Sequence, residues 1–97
     1  EMKMNSTSAI LEGFGYSEEE ALREFALLHA SQKYAEFALE DEFFQKKYGI
    51  PFSEFEKNIN STDEERFEME DDYLAWKFAY EGMEYCKKQL ESLKNIQ

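Results

Sequence analysis

The sequence predicts an all-α fold: two long helices packed antiparallel, a short helix between them, and an N-terminal arm, assembling as a helical dimer. Three observations carry that prediction. Strong helix breakers fall at only two places, Gly13-Phe-Gly15 and Gly49-Ile-Pro51, which leaves two long stretches that no proline interrupts. Ser/Thr-x-x-Glu capping boxes open the segments between the breakers. Apolar residues in both long stretches recur every three or four positions, the period of a helix face rather than of a strand.

The elements follow in order. Residues 1–16 form an arm whose Thr7-Ser-Ala-Ile-Leu-Glu stretch reads equally as a strand or as an ordered extension. The remainder, 17–97, is one helical domain with helices over about 17–48, 53–59 and 63–94. Ser17-Glu-Glu-Glu20 caps the first, and its three glutamates suit the positive end of the helix dipole. Lys46-Lys47-Tyr48 closes it before Gly49, and Pro51 forbids continuation. Ser53-Glu-Phe-Glu56 opens the short helix, and Thr62-Asp-Glu-Glu65 opens the last one. Gly82 sits inside that last helix at a cost of about 1 kcal/mol relative to alanine, which implies close approach of a neighbour.

Both long helices are amphipathic in more than one direction. The last carries Met69, Tyr73, Trp76, Tyr80, Met83, Leu90 and Leu93 as one stripe with Cys86 beside it, and Phe67, Leu74 and Phe78 as a second. The first carries Ala21, Phe25, Leu28, Gln32, Ala35 and Leu39 on one side. Roughly opposite lie Leu27, Ala30, Tyr34, Phe37, Phe44 and Tyr48. A helix pair buries one stripe of each partner, and the short helix covers part of the rest through Phe52, Phe55 and Ile59. Some apolar strip is then left for another chain, unless the arm and the short helix fold back and seal the monomer.

Composition narrows the function. The chain has 97 residues, 42% hydrophobic, with 22 acidic against 11 basic side chains and a net charge of −11. Too aromatic for a disordered acidic tail, it repels nucleic acid and anionic lipid and favours a basic partner. No Lys/Arg stripe exists to release counterions from a phosphate backbone, which argues against direct nucleic-acid binding. The single cysteine, Cys86, excludes an intrachain disulfide and fits a reducing, cytoplasmic setting. No apolar run approaches a membrane span.

Chemistry finds little foothold. Di-metal helical bundles use Glu-x-x-His pairs, but the only histidine, His29, has Ala26 three residues before it and Phe25 and Lys33 as its helical neighbours. No nucleophile is arranged beside it, and Cys86 lies in an apolar stripe. The expectation is a non-enzymatic protein with no cofactor and no metal. The acidic run from Asp63 to Asp72 holds seven acids and one arginine. The helix dipole accounts for its first turn but not for Glu68, Glu70, Asp71 and Asp72. Those four read as a face that steers a basic partner. Tyr73, Trp76 and Tyr80 read as the apolar anchors beside it, because Trp and Tyr dominate interface energetics.

The stretch from Lys47-Tyr48-Gly49 through Phe52 and Phe55, the acidic run, and Asp72-Tyr73-Leu-Ala-Trp76 resembles small acidic helical antitoxins of archaeal and bacterial toxin–antitoxin pairs, over roughly residues 34–93. The resemblance implies a small basic toxin partner, often a ribonuclease, held inactive by this chain. The DNA-binding module of many antitoxins has no counterpart in the arm, which carries only Lys3 before Arg23. The alternative is a homo-oligomeric structural protein whose aromatic rings are all its own core.

Overall fold

A computed structural model describes residues 6–59 and 66–94, and it is all helix over the described elements: α1 (Ser6–Gly13), α2 (Glu18–Tyr48), α3 (Phe52–Ile59) and α4 (Arg66–Lys94). The all-α prediction agrees with this. The arm resolves as helix α1, which removes the strand reading of Thr7–Glu12. The Thr62 capping box falls outside the described residues.

The caps of α2 are those its sequence specifies. Ser17 Oγ accepts from the Glu20 amide at 3.1 Å, and Glu20 returns the contact by accepting from the Ser17 amide at 3.0 Å. At the other end Gly49 takes the left-handed conformation at φ 74°, and its amide donates to the Gln45 carbonyl at 2.7 Å. A Cβ would strain that backbone, so glycine belongs there. The start of α3 departs from expectation. Its first free amides, those of Glu54 and Phe55, donate to the Pro51 carbonyl at 3.1 Å each. Pro51 therefore holds the cap position and the helix begins at Phe52, one residue before the predicted Ser53 box. The advance turns Phe52, Phe55 and Ile59 onto one face, and all three are buried.

Long-range packing is dominated by α2 against α4. Contacts step in opposite senses along the two helices: Tyr48 meets Asp72, Asp41 meets Trp76, and Phe37 lies over Gly82. A methyl group built on Gly82 would stand 2.6 Å from the Phe37 ring. The predicted close approach at Gly82 is present, and Phe37 is the neighbour that makes it.

The core is concentrated at the end of the pair where α3 packs. Phe44, Phe52, Phe55, Ile59 and Trp76 form it, with Tyr48, Ile50, Met69, Tyr73 and Tyr80 packed against it. Trp76 stacks on Phe44 at 5.5 Å between centroids and meets Phe55 at 4.9 Å and Phe52 at 5.5 Å. A third helix makes this end a two-layer structure with a real interior.

Toward the N-terminal half of α2 and the C-terminal half of α4, α1 lies against the start of α2 around Ala21 and Leu22. No third layer covers the rest of the pair among the described residues, and Cys86 is the one of them that is buried there. The molecule measures 64 × 26 × 19 Å, and its accessible surface is 7493 Å². A compact monomer of this mass exposes about 5,800 Å². The excess belongs to an elongated shape that leaves much apolar surface open.

Candidate functional site

The aromatic anchors predicted on α4 belong to the core. Trp76 is 0% exposed, and its indole N–H donates to Asp41 Oδ1 at 2.8 Å. Asp41 is itself buried and also accepts from Gln45 Nε2 at 2.7 Å. In this conformation Trp76 has no surface to offer a partner, which corrects its reading as an interface anchor. The physical reason is local. Phe52 and Phe55 close over the tryptophan, and Asp41 supplies the acceptor that lets an indole N–H leave water.

Tyr73 and Tyr80 are half-buried against the same core. Tyr73 stacks on Phe52 at 6.0 Å and donates its hydroxyl to Glu56 Oε2 at 2.8 Å. That hydrogen bond, helped by burial and the Glu56 charge, raises the phenol above its ordinary pKa, with Lys77 opposing. Tyr80 stacks on Phe52 at 4.9 Å. Both rings keep an exposed rim, but their main contacts are internal.

The acids divide. Asp72 is tied into the fold: Lys47 Nζ lies 2.6 Å from its Oδ2, and the Tyr48 hydroxyl donates to the same oxygen. Burial pushes the Asp72 carboxyl up, but the hydrogen bonds from Lys47 and Tyr48 and the Lys47 charge outweigh it and hold the pKa below the ordinary value. Its partners come from the basic last turn of α2, so this acid fastens α4 to α2. Glu70 and Asp71 are exposed on α4. Glu68 lies in α4, with its side chain outside the described residues.

The surface that remains open is elsewhere. Between α2 and α4, away from α3, runs an apolar groove of about 520 Å³ lined by Phe25, Ala26, His29, Phe37, Tyr85 and Leu93, among others. Phe25 and His29, one turn apart, stack at 5.8 Å on its α2 wall. Phe37 forms the end of the groove, edge-on to Phe78 at 5.5 Å. Tyr85 and Phe78 are largely exposed. On the back of α2, Phe25, Leu28, Leu39 and Phe43 are exposed as well. The stripe Ala21–Leu39 is thus the outward one, and Leu27–Tyr48 faces α4.

Two features escaped the sequence reading. Asp41 had a signal: it is a lone acid inside the stripe Phe37, Phe44, Tyr48, where a charge is tolerated only with donors. The groove had a weaker one in Tyr85, an aromatic residue outside both stripes of the last helix.

Among the described residues no group of three or more His, Cys, Asp or Glu side chains is placed to hold a metal ion, and no helix is long and apolar enough to cross a membrane. Compared with known protein families, curated proteins and solved structures, the chain matches none. The likeness to antitoxins rests on the residues quoted for it.

Proposed function

We propose that this chain is a non-enzymatic, acidic helical binding protein, a dimer of antiparallel helix pairs that holds and neutralises a basic partner protein in the manner of an antitoxin. One observation carries the reading. The half of the α2/α4 pair remote from α3 leaves an apolar groove unsealed on a chain of net charge −11. Exposed apolar surface rimmed by charge marks a site for another macromolecule. The groove supplies the contact area through His29, Phe37 and Tyr85. Glu70 and Asp71 supply the long-range attraction that accelerates encounter with a basic surface and weakens with salt. The anchoring role thereby moves from Trp76 to the groove, while the exposed acids keep the part first given to them.

The test is co-expression with the product of the neighbouring gene, followed by light scattering on the purified material. A defined complex that is lost in the Tyr85→Ala variant, with the variant's helicity intact, supports the proposal. A neighbour that never co-elutes, or a complex indifferent to Tyr85→Ala, contradicts it. The second reading, a purely homo-oligomeric structural protein, is favoured by the exposed stripe on the back of α2, and a homodimer without any bound neighbour would support it.

A further inference from the structure

The exposed stripe of α2 has an internal order that specifies a partner. Phe25, Leu28, Leu39 and Phe43 are each between 60 and 67% exposed. Leu28, Leu39 and Phe43 lie on the side of α2 away from Phe37 and Phe44, which face α4, and Phe25 stands at the edge between that side and the groove. Between Phe25 and Leu39 the stripe continues through Gln32 and Ala35, and before Phe25 it passes Ala21. The pattern is close to palindromic about Gln32. Running the helix backwards against itself sets Phe25 opposite Leu39, and Ala21, which borders α1, opposite Phe43. Phe25 then meets a large side chain and Phe43 a very small one, as interdigitated helix packing requires. On the flank, His29 comes beside Ala35 and Leu28 beside Glu36.

Charge selects the same arrangement. The first turn of α2 is acidic through Glu18, Glu19 and Glu20, its last turn basic through Lys46 and Lys47. An antiparallel second copy brings Lys46 of one chain to the Glu18 end of the other and opposes the two helix dipoles favourably. A parallel copy would set acids on acids and lysines on lysines. The central Gln32 is the one polar residue of the stripe between Phe25 and Leu39. On a two-fold axis its amide meets its own copy, donor to acceptor, and a buried polar residue of that kind fixes register.

We infer that α2 binds a second copy of this chain antiparallel through Phe25, Leu28, Gln32, Leu39 and Phe43, with the two-fold axis at Gln32. The exposed apolar side chains contribute on the order of 600 Å² per copy, near the lower bound of about 1,200 Å² in total for a specific dimer. This inference rests on the dimer within the proposed function, and Phe25 is the one side chain its interface shares with the groove.

Cysteine cross-linking of the full chain in a Cys86→Ser background tests it. Gln32→Cys is expected to oxidise to a covalent dimer, whereas Phe25→Cys alone does not, and a mixture of Phe25→Cys with Leu39→Cys does. Leu39→Glu, at an exposed position, is expected to leave helicity unchanged and shift the chain to a monomer. Phe78→Glu, on α4, is expected to leave the dimer intact. A dimer in which Phe25→Cys links to itself, or in which Leu39→Glu has no effect, overturns this interface and leaves the dimer reading standing. A wild-type monomer at all concentrations overturns both.

Discussion

Replacing Asp41 with alanine removes the acceptor beneath Trp76 and exposes how the core is held. The indole N–H that donates to Asp41 Oδ1 at 2.8 Å would be stranded in a site where the ring is 0% exposed. A stranded buried donor costs about 1–3 kcal/mol, and a hydrogen bond to a charged acceptor contributes about 1.5–3 kcal/mol. Part of that returns, because a carboxylate lying in the interior no longer has to be desolvated. The second contact, from Gln45, returns little, since Gln45 is exposed and finds water. The net expectation is a loss of about 2–4 kcal/mol, a large share of the stability of a small domain. Asp41→Asn keeps an oxygen for the indole and should lose less than half as much. Urea unfolding followed by the fluorescence of Trp76, the chain's single tryptophan, reads this as a lower midpoint at unchanged slope. Trp76→Ala, at about 3–5 kcal/mol and followed by circular dichroism because it removes the fluorophore, should make the further loss from Asp41→Ala small, because the two groups act as one unit. An Asp41→Ala variant within about 0.5 kcal/mol of wild type, or full additivity with Trp76→Ala, would refute the account of the core.

Further outcomes can be checked on the same footing. Gly82→Ala gains about 1 kcal/mol of helix propensity but drives a methyl to 2.6 Å from the Phe37 ring, so melting should show net destabilisation of about 1–2 kcal/mol. In a Phe37→Ala background the same change should become stabilising, and an unchanged sign would remove the close-packing explanation. The folded pKa of Asp72 lies below its unfolded value, so its stabilisation is present above about pH 4 and is lost as pH falls through the folded value. Asp72→Asn should therefore lower the melting temperature at pH 7 and flatten its fall between about pH 5 and 3, as thermal scans across that range would show. If the exposed acids steer a basic partner, Glu70→Gln with Asp71→Asn should slow association and reduce its salt dependence in stopped-flow measurements, while dissociation changes little.

Much of the fold was legible because the relevant signals are local. The Ser17 capping box, the Lys46-Lys47-Tyr48-Gly49 ending and the helical period of Tyr73, Trp76 and Tyr80 each depend on residues within a few turns. The choice between the two stripes of α2 was not local. Both are apolar, and what turned Leu27–Tyr48 inward is complementarity with α4: Phe37 needs the missing side chain of Gly82, and Trp76 needs the acceptor of Asp41. The same complementarity made Trp76 a core residue when its neighbours in sequence, Asp71 and Asp72, pointed to a surface. The start of α3 was misplaced by one residue because the Ser53 box is a local signal, whereas the Pro51 carbonyl already takes the Glu54 and Phe55 amides and the burial of Phe52 favours the earlier start. The groove was least legible, since its walls come from residues some sixty positions apart in the chain, Phe25 and Tyr85.

The central claim is that the open half of the α2/α4 pair is covered by another protein chain. Light scattering on the purified protein, alone over a range of concentrations and then co-expressed with its neighbouring gene product, tests it most directly. The account predicts a mass of twice 11.6 kDa for the protein alone and a larger, defined mass with the partner. A mass that does not rise on co-expression would contradict it, because a homodimer along the back of α2 leaves the groove uncovered.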